Sequence, residues 1–276
     1  MPQGARVRIS PSPLIHLIMF NKIQNIAIGI AKEAGRVLLK EYKTFNRTDV
    51  RLKSGHDILT KADLLSEEVI LKKINENFPN YNVVSEERGV IKSSSEFCWY
   101  VDPLDGTTNF SMHNPLWSIS LALAKNNEII FGLIYAPIIN ELYLCALGKG
   151  ATLNNKLIFV SRANTKKVLH TYCHGNGLVN IKQAIKYYSC QKINGMDCRQ
   201  LGSAAIELAY VAAGRVESFV APGANDWDVA AGVLLVREAG GKVSDFAGKQ
   251  WQLGSGDIVA SNNKTHRQIL AVCKNF

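Results

Sequence analysis

The spacing of hydrophobic positions changes along the chain, and the changes divide it into elements. Ile23, Ile26, Ala27, Ile30, Ala31, Ala34, Val37 and Leu38 recur at steps of three and four, which predicts an amphipathic helix over residues 21–43. Residues 46–56 are polar with one glycine and read as a loop or weak hairpin. A second helix is predicted from Thr60 to Phe78, with Ile70, Leu71 and Ile74 on its apolar face and Pro79 just beyond its end. Strand-like runs then follow at Tyr81–Val84, 97–101, 117–124, 129–136 and 141–146, with Asn126-Asn127 and Pro137 as punctuation. After Gly148, Gly150 and a short segment to about residue 160, strands at 167–173, 196–199, 216–220 and 257–260 alternate with helices at 179–189, 203–213, 228–239 and 263–273. Helices, then strands, then alternation predict a layered α/β fold with mixed sheets.

Length and composition narrow the class. The chain has 276 residues, which suits one large domain or two packed halves. Apolar residues make up 47% and charged residues 20%, as in ordinary globular proteins and unlike disordered ones. No apolar run approaches the roughly 18 residues of a membrane-spanning helix, so no membrane partner is expected. Of the net charge of +9, residues 1–56 carry +7, from ten Lys/Arg against three acids. The rest is nearly neutral, so a nucleic-acid-binding surface is not indicated. Lys32, Arg36 and Lys40 share one helical face, read as solvated, with an anion or partner surface as the alternative.

The six cysteines (Cys98, Cys145, Cys173, Cys190, Cys198, Cys273) include no C-x-x-C pair, which argues against structural zinc and for a reducing, cytoplasmic compartment. The opening segment has two arginines and an apolar patch broken by His16, without a cleavage-site pattern, so a secretory signal is not expected. Residues 1–18 are expected to be a poorly ordered extension, with Met19 as an alternative start.

The stretch richest in chemistry is Trp99-Tyr-Val-Asp102-Pro-Leu-Asp105-Gly-Thr-Thr-Asn-Phe110. An apolar strand runs into two acids three residues apart. Pro103 fixes φ and removes a donor, and Gly106 frees the next turn. Two carboxylates on a stiff turn can grip a hard cation, and Gly106-Thr107-Thr108 can offer backbone N–H groups and hydroxyls to a phosphate. The alternative is an Asp-Pro turn with a threonine cap. Glu86-Glu87 follows a strand and can be either a ligand pair or a solvated one. Asp228 precedes a helix apolar on nearly all sides, where it is an N-cap or a carboxylate facing a partner charge or metal. Asp63, three residues after Thr60, has the place of a capping-box acid. His170, Cys173 and His174 lack a fourth ligand nearby, so no metal role is expected of them.

These motifs carry a resemblance. Val101-Asp-Pro-Leu-Asp-Gly-Thr-Thr-Asn-Phe110 and Trp227-Asp-Val-Ala-Ala-Gly232 resemble the two signatures of the inositol monophosphatase family, within the lithium-sensitive, magnesium-dependent phosphatase superfamily. Leu59-Thr-Lys-Ala-Asp63, Ser85-Glu-Glu87 and Gly202-Ser-Ala-Ala205 occur in the family's order, and residues 201–246 are similar to the bacterial inositol-1-monophosphatase branch. The resemblance implies an αβαβα sandwich of the inositol monophosphatase and fructose-1,6-bisphosphatase type. It would fill residues 19–276 as one domain, with halves at about 19–155 and 156–276. It also implies two or three Mg²⁺ ions. Glu86, Asp102 and the Leu104 carbonyl would hold the first, and Asp102, Asp105 and Asp228 the second; a third, looser ion would also lean on Glu86. Thr107, oriented by Asp63, would activate the attacking water, with Glu87 as support behind Glu86. Gly106, Thr107, Thr108, Gly202, Ser203 and Asp228 would contact phosphate or substrate. A homodimer is implied as well, and the strand stretches at 117–124 and 129–136, apolar on both faces, point the same way.

One departure bears on the substrate. Inositol-selective members carry a glutamate seven residues before the second signature's Asp, where this chain has Ala221 followed by Pro222. The expectation is a Mg²⁺-dependent phosphatase of a small phosphorylated polyol or sugar, with altered selectivity. The alternatives are a 3′(2′),5′-bisphosphate nucleotidase, a fructose-1,6-bisphosphatase or a histidinol-phosphatase of the same family, and, in another class, a regulatory binding protein that keeps the fold.

Overall fold

The computed structural model describes residues 13–46, 51–54, 57–163 and 168–274. Its first half contains α1 (Pro13–Thr44), β1 (Arg51–Ser54), β2 (Asp57–Leu59), α2 (Lys61–Asn77), β3 (Asn82–Ser85), β4 (Gly89–Ile91), β5 (Phe97–Asp105) and α3 (Thr107–Ser111). It continues with β6 (Ser118–Lys125), β7 (Glu128–Ala136), β8 (Glu141–Ala146), β9 (Gly150–Leu153) and β10 (Lys156–Ile158). The second half contains β11 (Leu169–Tyr172), α4 (Leu178–Ile193), β12 (Asp197–Arg199), α5 (Ala204–Ala212), β13 (Ser218–Pro222), α6 (Asp226–Glu238), β14 (Lys242–Ser244), β15 (Asp257–Ser261) and α7 (His266–Cys273).

Five layers result. An eight-stranded sheet has the order β10-β9-β8-β7-β6-β5-β3-β4, and a five-stranded sheet the order β12-β11-β13-β15-β14. The α1/α2 pair covers the outer face of the first sheet, α5 and α6 lie between the sheets, and α4 and α7 cover the second. This is the expected αβαβα sandwich. It explains why α6 is apolar on all sides: Val229 to Val236 are buried between two sheets. It also explains β6 and β7, whose apolar faces meet α1 on one side and α6 on the other. Their two-sided apolar character is thus satisfied within one chain and gives no argument for a dimer.

Several boundaries differ from the sequence reading. Helix α1 starts at Pro13, so only residues 1–12 of the expected extension lie outside the described residues. The first sheet runs on to Ile158, so β10 lies past the expected division near 155. The short β4, α3 and β14 carry no clear period and were not expected. Lys32, Arg36 and Lys40 are exposed on α1, as a solvated face requires. All six cysteines are free thiols, and among the described residues no helix is long and apolar enough to cross a membrane.

Candidate active site

Strand β5 delivers the two signature acids. Asp102 pairs with Ser120 and Asp105 with Ser118 across β6, and the register shifts between them. Pro103 sits in that irregularity, where its missing N–H leaves no ladder bond broken. Asp102 folds back to accept the Leu104 N–H at 3.0 Å. Asp105 Oδ1 accepts Ala204 N at 3.1 Å; its Oδ2 accepts Ala205 N at 2.9 Å and the Ser203 hydroxyl. The first amides of α5 therefore point at a carboxylate from the other half of the chain, as the helix dipole favours.

Gly106 then takes φ +90°, in the left-handed region, and opens α3. A Cβ here would stand 3.0 Å from the Leu116 carbonyl and 3.1 Å from the Gly202 carbonyl. Thr107 follows; its hydroxyl lies 3.0 Å from Asp63 Oδ1 and 3.1 Å from the Leu104 carbonyl. Asp63 makes its two sets of contacts with different oxygens. Oδ2 accepts the Thr60 N–H at 2.7 Å and the Thr60 hydroxyl at 2.6 Å, closing the capping box of α2, while Oδ1 meets Thr107. Burial pushes the Asp63 carboxyl up to about 6 against these hydrogen bonds.

Asp228 is not the N-cap of α6. Asn225 caps it, and Asp228 is the third helical residue, accepting Asn225 Nδ2 at 3.1 Å. Glu86 lies in the turn after β3, its N–H donating to the Val101 carbonyl at 3.2 Å, one residue before Asp102. Burial, and then the charge of Glu86, hold both the Asp102 and Asp228 carboxyls well above the usual range. Asp105 is pushed up to about 6, mainly by burial.

The acids surround one cleft of about 390 Å³, whose walls include Glu86, Asp102, Asp105, Thr107 and Asp228. Gly106, Thr108 and Gly202 also line it. The donor set is carboxylate and carbonyl oxygen, the chemistry of Mg²⁺ rather than of zinc or copper. Among the described residues no three acid, imidazole or thiol side chains form a ready-made cage for one ion. The like charges raise one another's pKa, so a cation relieves a repulsion already present. On these grounds the residues fit Mg²⁺.

Ser203 has a different place from the expected one. It is buried, its hydroxyl is given to Asp105, and it caps α5 by accepting Ile206 N at 3.3 Å, so it holds Asp105 and does not line the cleft. Glu87 is half-buried beside Glu86 and adds to the charge around Asp63. The histidines part: His170 is buried on Ser218 Oγ at 2.7 Å, while His174 is exposed at the cleft rim. Sequence reasoning missed Cys173, Gln200 and Asn109 in the cleft wall. Asn109 ties the signature to the second half, donating to the Leu116 carbonyl at 2.7 Å and the Leu201 carbonyl at 2.8 Å. Its place inside the signature was the available signal.

The family model described as inositol monophosphatase matches residues 20–275. The chain belongs to the inositol monophosphatase family. An inositol-1-monophosphatase of Mesorhizobium japonicum is 38% identical over 262 residues, covering 91% of this chain and 95% of that one. The Nus factor SuhB of Escherichia coli K12 is 37% identical over 256 residues, covering 90% and 94%. Among solved structures, the Thermotoga maritima IMPase superposes with a TM-score of 0.83 at 32% identity, covering 92% of this chain and 97% of that one. The extragenic suppressor protein suhB of Bartonella henselae gives 0.85 at 31%, covering 92% and 98%. Membership supports a phosphoric monoester hydrolase, in a family that is generally Mg²⁺-dependent.

Proposed function

We propose that the chain hydrolyses the phosphate monoester of a small phosphorylated metabolite, with Mg²⁺ held by Glu86, Asp102, Asp105, Asp228 and the Leu104 carbonyl. The observation that carries this reading is the Asp63–Thr107 pair at the edge of the acid-lined cleft. When bound, Mg²⁺ supplies positive charge that polarises the phosphoryl group and makes water a better nucleophile. The protein does the rest by position. Thr107 donates its single hydroxyl hydrogen to Asp63 or to the Leu104 carbonyl, so its lone pairs are left to accept a hydrogen bond from a water in the cleft and to aim it. An ionised Asp63 fixes that polarity. Gly106 turns the first-turn amides of α3, which have no acceptor within the helix, to where phosphate oxygens would sit.

The leaving group would face Ala221, His174 and Gln200 on the other wall. Ala221 is 2% exposed at the end of β13 and offers no carboxylate to polyol hydroxyls. This supports a substrate preference shifted away from inositol phosphate. The test is phosphate release from a panel of monoesters with Mg²⁺ and with chelator. Turnover should require Mg²⁺ and vanish in Asp102→Asn; activity that persists in chelator defeats the reading. Relatives named Nus factor SuhB, together with the exposed Lys32, Arg36 and Lys40 face, support a second reading as a partner-binding protein, in which Asp102→Asn would keep its biological effect.

A further inference from the structure

Helix α2 presents an unusual buried face. Asp63, Ser66 and Glu67 lie at i, i+3 and i+4, one above the other, and are 0%, 0% and 1% exposed. Each makes a contact outside the helix. Asp63 meets Thr107 at 3.0 Å. Ser66 Oγ donates to the Pro103 carbonyl at 2.8 Å, between the proposed ligands Asp102 and Leu104. Glu67 Oε1 accepts the Ser85 hydroxyl at 2.5 Å and the Arg88 N–H at 3.0 Å, and its Oε2 lies 3.6 Å from Arg88 Nε. Ser85 and Arg88 bracket Glu86-Glu87. The carboxylate of Glu67 therefore grips the turn on both sides of the Glu86 arm, while the Glu86 N–H is pinned to β5.

We propose that Glu67 is the positioning residue for the Glu86 arm of the cation site, and that the Asp63–Ser66–Glu67 face of α2 is one rigid template setting the distance between that arm, the β5 acids and Thr107. The inference rests on the proposed Mg²⁺ reading. Its physical basis is that groups behind metal ligands hold those ligands in place, so their loss typically costs about 10–100-fold in metal affinity or activity. A helix is a stiff ruler, and three anchors on one face fix both the axial and the lateral position of what they hold. Glu67 neither lines the cleft nor meets substrate, so its effect should fall on cation affinity more than on the chemical step.

The experiment compares wild type, Glu67→Ala, Glu67→Gln, Ser85→Ala and Asp102→Asn. Three quantities are read: calorimetric Mg²⁺ affinity, the Mg²⁺ concentration for half-maximal phosphate release, and kcat at saturating Mg²⁺. Glu67→Ala should weaken both Mg²⁺ measures by about tenfold or more while kcat at saturation falls less than about threefold. Glu67→Gln keeps an acceptor for Ser85 and Arg88 N and should recover most of the affinity. Ser85→Ala removes one anchor only and should give an intermediate shift, which keeps the test open if Glu67→Ala does not fold. If Glu67→Ala or Ser85→Ala melts earlier yet binds Mg²⁺ as wild type does, Glu67 is only a core residue and the inference is overturned. If wild type itself binds no Mg²⁺, or Asp102→Asn binds it equally well, the Mg²⁺ reading fails instead.

Discussion

Glu207 offers a measurement of stability against pH. It lies on α5 with no exposed surface, behind the cleft wall. Its Oε1 accepts Leu201 N and Gly202 N, each at 3.1 Å, and the Cys173 thiol at 3.2 Å, whereas Oε2 is buried with no hydrogen-bond partner among the described residues. Burial pushes this carboxyl from 4.5 up to about 8. The folded state therefore keeps a proton that the unfolded chain releases above pH 4.5 or so. Its contribution to stability is fully present below that pH, declines as pH rises, and levels off above about pH 8. A gap of between three and four pH units, at about 1.36 kcal/mol each, sets the loss on the order of 5 kcal/mol. Glu207→Gln keeps the shape and the Oε1 acceptor but does not titrate. Urea denaturation of both proteins in chelator at pH 5 and pH 8.5 should show the variant gaining several kcal/mol on wild type between the two. A stability difference that stays constant with pH would refute the reasoning, because the carboxyl would then titrate alike folded and unfolded.

Three further outcomes follow from particular contacts. Gly106→Ala forces a side chain into the left-handed region and against two carbonyls, at a cost of about 1–2 kcal/mol, so a lower melting temperature and a lower kcat are expected together. Ala221→Glu restores a carboxylate on the leaving-group wall and should raise kcat/KM for inositol 1-phosphate relative to fructose 1,6-bisphosphate by about tenfold, roughly 1.4 kcal/mol. Arg215 grips Glu141 of β8 at 2.6 and 2.9 Å and lies over the Tyr210 ring at 4.8 Å, joining the two halves of the chain at the surface. Arg215→Ala should lower stability by about 1–2 kcal/mol in a denaturant titration and leave turnover within twofold of wild type.

The long elements were legible because their periods are strong: α1, α2, β5 to β8 and α6 fall within a few residues of their expected places, apart from the start of α1. The layered α/β class was legible from element order, and the five layers from the resemblance. The positions of Asp102, Asp105 and Asp228 could be read because a strand end and a helix start carry acids inside the two signature motifs. Glu67 and Ser66 were missed because a polar residue on a helix is read as solvated by default. Counting back from Ile74 and Ile70, however, positions 67, 66 and 63 continue the apolar stripe, and a polar residue on a buried stripe signals a partner. Ser203 was misplaced for the opposite reason. It lies beside Gly202 in a motif, and only the fold shows that its hydroxyl turns inward to Asp105. The partners of Glu207 are similarly beyond local pattern, since Cys173 lies 34 residues away.

The proposed function divides its tasks between the halves of the chain, and on that reading the chemistry can be retained while selectivity changes. Asp63, Glu86, Asp102, Asp105 and Thr107 all come from α2, the β3 turn, β5 and α3, which share one sheet and one covering helix. Their mutual distances are set by Ser66, Glu67 and the β5–β6 register, none of which involves the leaving-group wall. That wall is built from the ends of β11 and β13 in the other sheet, where Ala221 sits beside Pro222. Asp228 and the Asp105–α5 contact are the joints between the two. A substitution at position 221 can therefore alter what the cleft holds without moving the acids, whereas a change at Ser203 loosens a joint and should disturb both. On the proposed reading, glutamate or alanine at position 221 shifts the choice of substrate on a wall that carries none of Asp63, Glu86, Asp102, Asp105 and Thr107.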